Sequence, residues 1–309
     1  MVDFEFNQSK EEWDGFLEQH GGTFLQSYDW GEFRKEYQRV WRIAARAEGQ
    51  IKGVCQVMEE KSPFGHYLYI PHGPIAPDDK TRNELFRKAG SLVDSSCIAI
   101  KAEPIEPLSL GWKSRHRIQP QQTLISEIKA TEEDILKEFD GKARYNVRLA
   151  QRRGVTVEES DDLKTFYDLM RQTAASQNFN TYPYEYFQNL LHYLNASLFL
   201  AYYQQQVVAG TIVVYFGHKV TFLHSASNHK FGHLKAPYLI RFTVVAGARS
   251  KGGQYYDNWG ISQQRFPGVT SFKKGFGGQE FTYPPGREIS LKRFRFLIYY
   301  FSYWFLKKY

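Results

Sequence analysis

Two stretches of this chain carry the same pattern: a pair of alternating strands joined by a tight turn, preceded by helical segments and followed by strand, helix and strand. The first hairpin joins VWRIAARA (40–47) to IKGVCQVMEE (51–60) through Glu48-Gly49-Gln50, and the second joins SLFLAYY (197–203) to QQQVVAGTIVVYF (204–216). Gly53 and Gly210 occupy corresponding places in the two hairpins. A mixed unit that recurs once in 309 residues points to a duplicated α/β domain with mixed sheets rather than one large sheet. Ahead of the first hairpin, Ser9-Lys10-Glu11-Glu12 reads as a capping box opening a helix that Gly21-Gly22 closes, and a second helix covers 28–37. HYLYI (66–70) is a strand, Asp78 or Asp79 caps a helix running to Ser95, and CIAIKA (97–102) is a buried strand. TLISEI (123–128) alternates, and Thr131 starts another helix. In the second half, helices over 161–175 and 184–194 precede the hairpin. VTFLHSAS (220–227) follows, Ala236-Pro237 opens a helix closed by Gly252-Gly253, and QYYDNWG (254–260) is a strand entering a loop. The expected domains are 1–140 and 141–289, divided between Asp140 and Gly141.

Hydrophobic residues at 42% and charged residues at 24% supply a core and exclude a disordered or collagen-like chain. The net charge of +7 and pI near 9.1 favour an anionic partner, with solubility as the plain alternative. Aromatics reach 17%, and Tyr and Trp suit wet grooves as well as cores. Cys55 and Cys97 lie in apolar stretches and make no disulfide framework, so a reducing, cytoplasmic setting is expected. The acidic start lacks an apolar signal core, and no apolar run of about 18 residues is present to span a bilayer. Signatures of phosphate-binding loops, zincin proteases and serine hydrolases are missing. His224, His229 and His233 have no carboxylate or cysteine at metal-like spacing, so no metal is expected. Gln151-Arg152-Arg153-Gly154-Val155-Thr156 half-matches the pyrophosphate turn of coenzyme A-dependent acetyltransferases, but it joins a helix to a strand, the reverse of the order that turn requires, and so disfavours coenzyme A.

Eight short segments occur in one order: FLQSYDWGEFRK (24–35), YIPHGPI (69–75), KAEP (101–104), KARYNVRLAQRRGV (142–155), LHSAS (223–227), Ala236-Pro237 with Leu239, YYDNWGI (255–261) and GVTSFKKGFGG (268–278). Together they resemble the Fem family of aminoacyltransferases, the FemA, FemB and FemX group that builds the interpeptide bridges of peptidoglycan. The heptad-patterned arm that many members insert in the second domain is missing, so the resemblance is to the compact, FemX-like form. It implies two tandem acetyltransferase-like (GNAT-like) domains, with a C-terminal helix over 290–309 returning to the first. It also implies transfer of an aminoacyl group from aminoacyl-tRNA to an amine of a nucleotide- or lipid-linked peptidoglycan precursor. No cofactor is implied beyond aminoacyl-tRNA as co-substrate. The positive charge agrees with a polyanionic donor.

The resemblance carries roles onto particular residues. Lys273 would stabilise the transition state and Phe272 would contact the transferred group or RNA end; the glycines at 275, 277 and 278 would allow close backbone approach. The alternative for Lys273 and Lys274 is a solvated face binding RNA phosphates, and Lys274 suits that role better. Arg34, one turn after Trp30, stands where the family uses a lysine on precursor phosphates; a surface arginine paired with Glu32 or Asp29 is the alternative. Glu103, in place of the family's aspartate before proline, would take the attacking amine's proton, or is a strand-end glutamate. Asp257 binds substrate or caps a turn. Tyr182, Tyr184 and Tyr186 contact substrate or pack a helix start, and Arg144, Arg148 and Arg152 form one stripe facing RNA or solvent. The apolar middle of 290–309, about 11 residues and so roughly 16 Å as a helix, is too short for a core of about 30 Å and suits a peripheral interfacial helix on the inner membrane leaflet. Two rival functions share these features: an acyl-coenzyme A-dependent N-acyltransferase of envelope polysaccharide, and a non-catalytic RNA- or membrane-binding protein.

Overall fold

A computed structural model describes residues 3–292 apart from 7, 63–64, 93–95 and 115. Most of the C-terminal helix expected over 290–309 therefore lies outside the described residues. The chain forms two compact units, one of the described residues up to Gln121 together with those from Tyr283 onward, the other Gln122–Thr282.

The first unit begins with β1 (Asp3–Glu5), α1 (Lys10–Gln19) and α2 (Tyr28–Lys35). Ser9 caps α1 by accepting the Glu12 amide, and Ser27 caps α2 through the Trp30 amide. β2 (Val40–Ala47) and β3 (Gln50–Ser62) make the expected hairpin, followed by β4 (Gly65–Pro71), α3 (Asp79–Ala89), β5 (Cys97–Glu103) and β6 (Trp112–Lys113). Asp78 caps α3, which ends at Gly90 rather than running to Ser95. The second unit contains β7 (Gln122–Glu127), α4 (Glu132–Glu138), α5 (Gly141–Arg152), β8 (Thr156–Glu159), α6 (Leu163–Gln177), α7 (Tyr184–Tyr193), β9 (Ala196–Tyr203) and β10 (Gln206–Phe216). It continues through β11 (Lys219–Ser227), α8 (Ala236–Ala248), β12 (Tyr255–Asp257), α9 (Pro267–Lys274) and β13 (Gln279–Thr282). β14 (Arg287–Ser290) then returns to the first unit.

Each unit is built on a mixed sheet, in the orders β1-β2-β3-β4-β5-β14-β6 and β13-β7-β12-β11-β10-β9-β8. The duplication is visible in these orders. β2-β3-β4-β5 matches β9-β10-β11-β12: an antiparallel hairpin, a third antiparallel strand, then a parallel fourth reached through a crossover helix, α3 or α8. The two glycines that mark the hairpins have separate causes. A Cβ on Gly53 would meet Ala76, Leu85 and Thr81 within 3.0 Å, whereas one on Gly210 would meet Leu200 and Phe166 at 2.8 Å. Different helices lie against the two strands, so the shared glycine is not itself the trace of duplication.

The boundary lies at Gln121/Gln122, not between Asp140 and Gly141. β7 is hydrogen-bonded between β12 and β13, with Tyr256 opposite Ser126, and Ile135 and Phe139 of the following segment enter the second core against Phe242 and Phe276. Asp140-Gly141 is a helix start: the Asp140 carboxylate accepts the Ala143 amide at 2.6 Å and caps α5. At the other end, β14 pairs with β5, Ile289 opposite Ile100, so residues 283–289 belong to the first unit. Cys55 and Cys97 are buried and unbridged, as their apolar surroundings predict.

Candidate active site

The second sheet opens where its parallel pair ends. β11 and β12 run together through Lys219–Thr221 and Tyr255–Asp257; β11 then continues to Ser227 while β12 turns away. Trp259 at that turn has φ +57°, a left-handed conformation unusual for so bulky a residue, and its amide donates to Asp257 at 2.7 Å. The separation leaves a cavity of about 470 Å³ walled by β10, the free half of β11, the start of α8 and α9. Among the described residues this cavity combines aromatic rings (Phe222, Phe231, Tyr238, Phe272) with cations (Lys235, Arg241, Lys273).

α9 brings Lys273 to this wall. Pro267 starts the helix at a position that needs no amide, and the Thr270 hydroxyl accepts the Ser262 amide, tying the helix to the turn after β12. Lys273, in the last turn, donates from Nζ to the carbonyls of Gly260 at 2.7 Å and Trp259 at 3.0 Å. Burial lowers its pKa to about 7; the Arg241 charge adds to the fall and Asp257 offsets part of it. An amine with that value exchanges between ammonium and free base near neutrality, which equips it to offset charge developing on a carbonyl oxygen or to carry a proton. Phe272 beside it stands edge-on to Tyr238 and Phe276, with ring centroids 4.9 Å apart in both pairs.

α9 differs from the glycine-loosened segment expected here. The glycines that follow it serve packing. Gly277 and Gly278 have left-handed φ, and a Cβ on Gly278 would strike the Ser126 hydroxyl and the Ile125 carbonyl, so the backbone crosses β7 where no side chain fits. Lys274, one residue from Lys273, points elsewhere and forms an exposed ion pair with Glu280.

The other expected site residues are dispersed. Asp257 is buried and raised by desolvation; its carboxylate accepts the Thr123 hydroxyl and the Trp259 amide, so it shapes the turn that holds Lys273. Tyr186 is buried with Tyr182 stacked on it at 3.9 Å, while Tyr184 packs edge-on to Tyr167 of α6. Tyr182, 51% exposed, is the most exposed of the three. His224 lies against this stack, 3.4 Å from the Tyr186 hydroxyl, and burial lowers it to about 4. Arg144 donates to the carbonyls of Phe139 and Lys137 and so closes α4, whereas Arg148 and Arg152 remain exposed on α5.

Arg34 and Glu103 belong to the first unit. Arg34 donates to Gln38 at 2.9 Å and pairs with Glu60 at 3.1 Å, neither of the partners expected for it, because Glu32 is taken by Lys35 and Arg42 and Asp29 by Lys10. Glu103 is wholly buried. Its oxygens accept the Tyr69 hydroxyl at 2.9 Å and the amides of Ile118 and Gln119 at 2.6 and 2.8 Å, with Lys101 at 3.7 Å. A carboxylate so enclosed pins the 118–119 backbone.

Sequence reasoning missed Arg241. It lies on α8, is 4% exposed, and stacks 3.6 Å from the Phe222 ring. A lone arginine within the apolar run LIRFTVVA was the available signal. No group of three or more His, Cys, Asp or Glu among the described residues is arranged to hold a metal.

A duplicated GNAT-like sheet whose second copy splays beside a half-buried lysine defines the class of protein. The crystal structure of FemX has the same fold, with TM-score 0.84 at 22% identity over 96% of this chain and 99% of that one. A tandem GNAT protein from the clavulanic acid biosynthesis pathway matches with TM-score 0.51 at 8% identity over 94% of this chain and 98% of that one. The FemAB family profile matches residues 105–203 and 195–287, and the chain belongs to that family. A lipid II:glycine glycyltransferase of Staphylococcus aureus is 33% identical over 226 residues, 62% of this chain and 53% of the relative. The chain thus spans about half the length of the curated relatives it matches.

Proposed function

We propose that the chain moves an amino acid from aminoacyl-tRNA to an amine on the stem peptide of a peptidoglycan precursor and so builds an interpeptide bridge. The observation that carries this reading is Lys273, whose Nζ is fixed by two carbonyls in the wall of an aromatic-lined cavity. Membership of the FemAB family and likeness to an enzyme named for glycyl transfer to lipid II support the acceptor class and the transferred group.

The chemistry is acyl transfer. The amine nitrogen attacks the ester carbonyl carbon, a C–N bond forms, and the carbonyl π pair moves to oxygen. The tetrahedral species collapses, the ribose oxygen leaves with the C–O pair, and the proton lost by nitrogen ends on that oxygen. Nothing is oxidised or reduced, and the step asks for no metal or small-molecule cofactor. Orientation of donor and acceptor can supply on the order of 7–11 kcal/mol. A fixed cation at the oxyanion is worth roughly 10²–10³ in rate, the part assigned to the Lys273 ammonium. Phe272, wedged between Tyr238 and Phe276, holds the transferred group against it. The exposed Arg148 and Arg152 on α5 meet RNA phosphates; Lys274 contributes there only after leaving Glu280. Arg34 takes precursor phosphate on the same condition, that it leaves Glu60.

No helix among the described residues is long and apolar enough to cross a membrane. We place the protein in the cytoplasm, where charged tRNA is made, with residues 290–309 touching the inner leaflet when the acceptor is lipid-linked. The test is mass spectrometry of nucleotide- and lipid-linked precursors after incubation with a pool of charged tRNAs, with acyl-coenzyme A in a parallel arm. A mass gain of one or more aminoacyl residues is expected in the tRNA arm. A gain only with acyl-coenzyme A, or none in either arm, would overturn the reading.

A further inference from the structure

The guanidinium of Arg241 is buried in the cavity wall without an anion. Its Nη1 has no hydrogen-bond partner, and no carboxylate among the described residues pairs with it. Three phenyl rings surround it instead: Phe222 at 3.6 Å, Phe276 at 5.4 Å and Phe272 at 5.7 Å. Asp257, whose field reaches it, is already occupied by Thr123 and Trp259. Burying an unpaired charge is costly, and proteins carry one where a ligand completes the pair. Two further positive features open on the same cavity. Lys273 is one; the other is the first turn of α8, where Lys235 supplies no side-chain cap and the helix dipole presents its positive end.

We propose that Arg241 is the fixed cation of an oxyanion-binding subsite in this cavity, taking a phosphate or carboxylate of bound substrate through its guanidinium. Lys273 titrates near neutrality and serves the reacting carbonyl; Arg241 remains charged and serves a group that is anionic throughout. Under the acyl-transfer reading the oxyanion is either a phosphodiester near the donor's terminal adenosine or the carboxylate of the acceptor peptide. That choice rests on the acyl-transfer reading, whereas the subsite does not.

Calorimetry on the full chain at low salt, with inorganic phosphate, a 5′-phosphorylated CCA trinucleotide and acetyl-D-alanyl-D-alanine, tests it. Phosphate and one of the larger probes should bind the wild type, and the one that binds identifies the source. Affinity should fall about 10-fold or more in Arg241→Gln and be partly kept in Arg241→Lys, the range for loss of a charge-assisted hydrogen bond. The melting temperature of Arg241→Gln should equal or exceed that of the wild type, because an uncompensated charge is removed. Equal binding by Arg241→Gln, no binding by the wild type, or a lowered melting temperature in Arg241→Gln would each overturn the proposal. Transfer is not part of the readout, so a chain that binds phosphate through Arg241 yet transfers nothing keeps the subsite and loses only the acyl-transfer reading.

Discussion

Replacing Lys273 with methionine should stabilise the second unit below neutral pH, and the gain should fade as pH rises. In the folded chain, burial, helped by Arg241, lowers the amine from 10.5 to about 7. In the unfolded chain it keeps its ordinary value. Between about pH 7 and 10.5 the unfolded state therefore holds a proton that the folded state has lost, and stability rises with pH by ~1.4 kcal/mol per unit. Below pH 7 the whole cost of burying the ammonium is present, with an upper limit of about 5 kcal/mol because the side chain keeps some solvent. Methionine fills similar space and carries no such cost. Urea denaturation of both proteins at pH 6 and pH 9 reads the effect, since titrations that do not feel Lys273 cancel in the difference. The advantage of Lys273→Met should shrink by ~2–3 kcal/mol between those two pH values. Parallel stability curves from pH 6 to 9 would show that the lysine is not desolvated, and the argument for a tuned amine would fall with them. The same variant should lose turnover, the pairing of gained stability and lost activity expected where a protein keeps a costly group for function.

Other outcomes follow from contacts elsewhere. Glu103→Ala should destabilise the first unit by ~3–5 kcal/mol, read as a lowered melting temperature, because it leaves the buried Lys101 with only the field of Glu288 to offset its charge and the 118–119 amides without an acceptor. A normal melting temperature with slowed transfer would contradict this structural reading and favour the general-base role. His224, neutral when folded with a pKa of about 4, costs stability as pH falls from 6.5 towards 4, where the unfolded state alone gains the proton. His224→Phe should flatten acid denaturation over that interval. Gly278→Ala should cost ~1–3 kcal/mol, seen as faster amide exchange in β13, because its φ of +99° and the Ile125 carbonyl 2.9 Å from a Cβ both oppose a side chain. Lys274→Ala, which removes one half of an exposed pair, should change stability by less than ~1 kcal/mol.

What could be read in the sequence was what local chemistry determines. The two hairpins, the caps at Ser9 and Asp78 and the strand expected over 97–102 follow from alternation, an apolar run and side-chain oxygens placed three residues before the amides they accept. Pairing across the chain has no such local mark. Nothing in residues 122–127 announces that they lie between β12 and β13, and Asp140-Gly141, which reads as a linker, is a helix cap. α9 is short, and the glycines after it mask its end, so Lys273 was found through its neighbours in the family motif rather than through its helix. Glu103 reads as a free strand-end carboxylate until the donors from Tyr69 and the 118–119 amides are seen to close around it. Arg241 is a single charged letter in an apolar helix. Its surroundings come from Phe222, Phe272 and Phe276, which only the folded chain brings around it.

Single-turnover transfer by wild-type and Lys273→Met protein, with charged tRNA and precursor both saturating, puts the catalytic assignment to the most direct test. The wild type should add an aminoacyl residue to the precursor amine, and the variant should bind both substrates with near-normal affinity while its rate falls by roughly 10²–10³. Equal rates in the two proteins would contradict the assignment of Lys273 to the reacting carbonyl.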